Sequence, residues 1–122
     1  MSCLMFDDEA VAGLTEGWSA KQTFTPSAYT SWSAYGGCYY RKRGTTVELN
    51  VALENVSAQL NVSITTLPSG FRPLHPVGSS AVIAEWNTVN AGILAVDEQG
   101  VVRMSSQVGS AYFIGHMYFE TV

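Results

Sequence analysis

Charge is what this sequence has least of. Only 13% of its 122 residues are Asp, Glu, Lys or Arg, against about a quarter in an ordinary globular domain. Basic charge is scarcer still, with six Lys and Arg against ten Asp and Glu and a net charge of −4. A non-specific grip on nucleic acid needs a positive field, so no nucleic-acid partner is expected. The two cysteines, Cys3 and Cys38, lie far apart and outside any Cys-x-x-Cys, and only two histidines, His75 and His116, are on hand to complete a metal site. Free thiols in a reducing compartment follow, and neither a metal nor a cofactor is expected. No apolar run approaches the roughly 20 residues that span a membrane. The stretch MSCLMFDDEAVAGL carries acids where a signal peptide needs bases, so neither membrane insertion nor export by that route is expected. Helix signals are nearly missing too. Asp7–Leu14 is the single candidate, acidic at its start but weakened by Gly13.

Apolar residues, by contrast, make up 47% of the chain. This length suits one domain with a core of its own. With so little charge to cover it, part of the exterior is expected to lie against other chains.

The apolar residues mostly fall at period 2. Val47, Leu49, Val51 and Leu53 alternate with Glu48, Asn50, Ala52 and Glu54, which predicts a strand with one dry and one wet face. Leu60, Val62 and Ile64 repeat the pattern. Residues 32–41 are rich in aromatics and read as a strand interrupted by Gly36 and Gly37. AVIAEW (81–86), AGILAVD (91–97) and VVRMSS (101–106) are further β-like runs, and DEQG (97–100) between the last two has the chemistry of a hairpin turn. AYFIGHMYFE (111–120) is apolar on both faces and is expected to be covered on both, His116 included, by core and by a neighbouring sheet or subunit. Short strands with Gly, Pro, Ser and Asn between them predict an all-β, antiparallel sandwich or barrel over residues 18–122. Residues 1–17 are read as an N-terminal arm or connector.

Half of the basic charge sits in RKRG, Arg41 to Gly44. Strand-like residues flank it, and Gly44 offers the positive φ that a tight hairpin needs. The expected structure is a solvated hairpin tip whose cations partner Glu48 and Glu54 on the following strand. In TLPSGFRP (66–73) the two prolines argue against a central strand. Gly70 allows a turn, Phe71 reads as an apolar plug, and Arg72 is free to face outward.

YRKRGTTVELNVALENVSA, followed by TLPSGFRP and then by AVDEQGVV, resembles in its order the C-terminal head domains of receptor-binding proteins from phages of Gram-positive bacteria. The resemblance runs over roughly residues 18 to 122. It implies a compact head that assembles as a homotrimer at the tip of a tail fibre or baseplate, beside other tail and baseplate proteins. It also implies non-covalent binding of host cell-wall saccharide, often at the seam between subunits. The protein would then reside in the virion after synthesis in the cytoplasm of the host bacterium.

A saccharide site needs an aromatic face for sugar C–H groups and planar polar groups for hydroxyls. Trp86 and Asn87, beside Glu85 at a strand end, are the first candidates. His75 in a proline-fixed loop, Asp97 in its turn, Arg103 after that turn and Arg72 complete the set by residue type. The chemical alternative is a tail-borne glycan hydrolase, which needs two carboxylates about 5–10 Å apart. Glu48 and Glu54 share a strand face but stand nearly ~20 Å apart at ordinary strand rise. There is no Gly-x-Ser-x-Gly, and neither histidine has a convincing acid partner in the sequence, so no enzyme is expected. The remaining alternative is a purely structural baseplate or virion-decoration trimer, for which Trp86 would be buried.

Overall fold

The computed structural model describes residues 17–84, 89–109 and 111–122. The expected arm and the helix candidate Asp7–Leu14 therefore lie outside the described residues, apart from Gly17. The strands are β1 (Gln22–Thr23), β2 (Thr30–Ser31), β3 (Tyr39–Arg43), β4 (Thr46–Val56), β5 (Gln59–Thr66), β6 (Val77–Ala84), β7 (Val89–Val96), β8 (Val101–Ser106) and β9 (Ala111–Glu120). They form one antiparallel sheet in the order β1-β3-β4-β9-β6-β7-β8-β5, with β2 also paired to β4. The all-β expectation holds. The sheet curls into a half-barrel, and the segment 24–32 laces its two ends together. Along it, Phe24 N–H donates to the Cys38 carbonyl at 3.1 Å, Ser27 N–H to Ile64 at 2.8 Å and Trp32 N–H to Ala52 at 2.8 Å. An edge strand, β5, thereby gains a partner on its otherwise open side.

The concave face holds the core. Phe113, Leu49, Leu53, Ile64, Leu67, Ile83, Leu94 and Met104 are all fully buried. Each contributes about 1.5–3 kcal/mol relative to exposure. Period 2 sorts β9 as the sequence predicts. Phe113, Gly115, Met117 and Phe119 face the core, whereas Tyr112, His116 and Tyr118 stand on the convex face and are exposed. No sheet of this chain covers that second face among the described residues. His116 is thus not a core histidine; its side chain keeps 37% of its exposure in the single chain. Close packing inside depends on glycine at Gly92, where a Cβ would lie 2.7 Å from Ile83 Cδ1 and 3.0 Å from Phe113 Cε2.

Three other strand expectations need correction. Residues 32–41 are not one strand: Ser33–Tyr35 form a 3-10 turn, and β3 begins only at Tyr39. Gly36 and Gly37 both have positive φ, +85° and +67°, and two left-handed residues in succession cannot continue a ladder. β4 has no simple wet face, because Glu48 and Ala52 are buried along with Val47, Leu49, Val51 and Leu53. In β5 the register slips between Gln59 and Val62 and again between Ser63 and Thr65, so Leu60 faces solvent while Ile64 stays buried.

The turns follow the sequence more closely. Gly44 closes the β3–β4 hairpin at φ +60°. Gly100 closes Asp97–Gly100 at φ +86°, its N–H donating to the Asp97 carbonyl at 2.9 Å. Phe71 is the expected plug: it meets Tyr40 edge-on, ring centroids 4.8 Å apart.

Candidate functional site

The hairpin register sets Arg41 opposite Glu48, and the long β4–β9 ladder sets Tyr118 opposite Glu48 and His116 opposite Asn50. All these side chains stand on the convex face. Glu48 accepts hydrogen bonds from Arg41 Nε, from Tyr39 Oη at 3.3 Å and from His116 Nε2 at 2.7 Å. Burial pushes the Glu48 carboxyl up, but the hydrogen bonds from His116 and Arg41 outweigh it, and its pKa falls below the ordinary value. Burial and the Glu48 charge beside it push the Tyr39 phenol up. Arg41 lies over the Trp18 ring, 4.6 Å from its centroid, and His116 meets Tyr118 edge-on at 4.9 Å. The RKRG cations are therefore not all solvated. Arg41 is locked to Glu48, and Lys42 donates to the Gly70 carbonyl at 2.8 Å, leaving Arg43 exposed at the tip. His116 has the acid partner that the sequence did not reveal. With three donors on it, that carboxylate is occupied in holding three strands in place.

The predicted site residues do not form one cluster. Trp86 and Asn87 lie outside the described residues. Asp97 Oδ1 accepts from the Gln99 and Val101 amides at 3.0 Å each, and its Oδ2 accepts from Arg103 Nη1 at 2.7 Å. The Arg103 hydrogen bond chiefly holds the Asp97 pKa below its ordinary value. Arg72 does not face freely outward. Its Nε donates to the Leu67 carbonyl at 2.9 Å, and its Cγ lies 2.9 Å from where a Cβ on Gly100 would be. Arg103 thus binds the first residue of the Asp97–Gly100 turn while Arg72 packs on the last. His75 is exposed on the β5–β6 connection. It lines an open groove of about 370 Å³ with Leu74, Val77, Tyr118, Phe119 and Glu120. The Thr46 and Thr45 hydroxyls donate to the Glu120 carboxylate at 2.7 and 2.8 Å and lower its pKa.

Sequence reasoning missed an aromatic stack. Trp32 lies on Tyr112 with ring centroids 4.0 Å apart and planes 19° from parallel, and Tyr35 approaches Trp32 at 4.3 Å. Tyr35 is 56% exposed and Tyr112 41%. The Gly36-Gly37 pair was the available signal, since it marks a turn that lifts Tyr35 out of a strand. A second missed feature is a band of exposed apolar side chains on the convex face: Val82 of β6, Val89 and Ile93 of β7, with Ile114 of β9 half-buried beside them.

No family model and no curated protein matches the chain. Among solved structures, the fold is similar to the crystal structure of the head domain of lactococcal phage bIL170, reported in connection with a common fold for the receptor-binding domains of lactococcal phages. The likeness covers 84% of this chain and 97% of that one, with a TM-score of 0.62 and 11% identity. The fold implied by the sequence resemblance is therefore the fold observed.

Proposed function

We propose that this chain is the receptor-binding head of a phage tail or baseplate, holding host cell-surface saccharide without cleaving it. The observation that carries the reading is a fold likeness spanning nearly the whole of a phage head domain. The convex band of Val82, Val89 and Ile93 supports a homotrimer, because apolar side chains gathered on one face of a charge-poor chain gain stability when sister copies cover them. Assembly allows weak contacts to suffice: a millimolar site contributes only about 4 kcal/mol, and several sites on one particle multiply it through effective concentration.

Of the proposed contacts within the described residues, His75 is the best placed. Its groove is lined mainly by apolar surface beside the exposed Tyr118 ring, which suits the C–H face of a sugar, while the Glu120 carboxylate already accepts from Thr45 and Thr46. The Asp97–Arg103 pair, Arg72, and Trp86 with Asn87 complete the proposal. The test is retention of the purified chain on a panel of Gram-positive cell-wall polysaccharides. Retention that weakens in His75→Ala and Trp86→Ala is expected. A folded protein retained on none of them would leave the structural spacer in its place, and new reducing ends would mark a hydrolase.

A further inference from the structure

We infer that Trp32, Tyr35 and Tyr112 form a second sugar-stacking platform, distinct from the His75 groove, that takes the apolar face of a neutral pyranose ring. The inference rests on the saccharide reading above and adds a site to it. Tyr35 and Tyr112 keep 56% and 41% of their surface in solvent, although burial of rings this large is strongly favourable. A 3-10 turn at Ser33–Tyr35 does not itself require an aromatic residue at Tyr35.

The platform is also held rigid. Trp32 N–H is tied to the Ala52 carbonyl at 2.8 Å. Asn50 Nδ2 donates to the Gly37 carbonyl at 2.8 Å and to that of Tyr35 at 3.3 Å. Gly36, in the left-handed region, ends the turn with its N–H on the Ser33 carbonyl. A preformed surface loses little freedom on binding, which is how a small contact area yields useful affinity.

Charge separates this stack from three of the other rings. Lys21 covers Tyr39 at 4.4 Å, Arg41 covers Trp18 at 4.6 Å, and Lys42 stands 5.4 Å from the centre of Phe71. Those rings are engaged by the chain's own cations. Among the described residues no cation lies over Trp32, Tyr35 or Tyr112. A neutral ligand with C–H groups on one face and hydroxyls at its edge matches that surface, with the phenolic hydroxyls able to donate or accept at the rim.

The experiment is a titration of the nitrogen-labelled full chain with methyl glucoside, N-acetylglucosamine and rhamnose into the millimolar range, following amide and indole N–H resonances. Saturable shifts at the Trp32 indole and the Asn50 side-chain amide are expected. Affinity there should fall at least tenfold in Tyr35→Ala, persist in Tyr35→Phe, and be unchanged in His75→Ala. Shifts confined to the His75 groove would overturn the platform and leave the saccharide reading intact. No saturable shift at either place would overturn both. Shifts at the stack that follow protein concentration without sugar would assign it to contact between copies and overturn the platform.

Discussion

Glu48 is a carboxylate placed inside a sheet of very few charges, and three donors hold it there. Its folded pKa is depressed, so its contribution to stability is complete above the ordinary value of 4.5 and is lost as pH falls through the folded value. Asp97 and Glu120 are depressed as well and act in the same direction. Urea midpoints measured from neutral pH down to pH ~3 are therefore expected to decline below pH ~4.5, with a shallower decline in Glu48→Gln. At neutral pH, Glu48→Ala is expected to cost about 2–3 kcal/mol, since it leaves Arg41 and His116 without their shared acceptor. Half of this site was legible in the sequence. Period 2 and a Gly44 hairpin bring Arg41 to Glu48 through local geometry alone. His116 arrives from 68 residues away, across a pairing that no local pattern specifies. The site residues chosen by type fared similarly. Asp97 shapes its turn as its sequence context predicts, whereas the packing of Arg72 on Gly100 becomes visible only once β5 and the turn after β7 are side by side.

Two glycines give contrasting tests at the level of strands and turns. Gly44 sits at positive φ with nothing within 4 Å of a would-be Cβ, so Gly44→Ala is expected to cost about 1–2 kcal/mol through backbone strain alone. Gly92 has ordinary backbone but no room, and Gly92→Ala must displace the Ile83 methyl, the Ser105 carbonyl of the neighbouring strand and the edge of the Phe113 ring. A cost of about 1–3 kcal/mol is expected from overpacking, read as a lower denaturant midpoint. Exchange broadening of Phe113 in Gly92→Ala, without such broadening in Gly44→Ala, would confirm the difference in cause. The strands were legible as period-2 runs, and β9 divides into the two faces that alternation gives it, but in β4 and β5 the expected split into a dry and a wet face broke down. They were misread where a turn is built from aromatics. Trp32 and Tyr35 have high strand propensity, and the backbone preference of Gly36 and Gly37 overrides it. The slips in β5 were equally hidden, because Asn61 adopts a φ of +54° that alternation alone does not announce.

For the molecule as a whole, the proposed trimer makes a direct prediction. Light scattering should give the mass of three chains. Ile93→Asp, at a position 57% exposed in the single chain, should reduce this to one chain while leaving the amide spectrum dispersed. A wild-type mass of one chain would remove the trimer. An unchanged trimer in Ile93→Asp would move the seam elsewhere on the surface. Composition alone suggests such a seam, through scarce charge and plentiful apolar residues, but the face proposed for it follows only from the order of the strands.

That order also bears on how the molecule is made. The longest strand, β4, takes as one neighbour β9, the last described strand in chain order. On a ribosome, one flank of β4 stays without its native partner until β5 to β8 and then β9 have been made, so the sheet cannot close strand by strand as it emerges. A polypeptide halted before residue 111 would carry every other described strand and still lack the piece that joins β4 to β6.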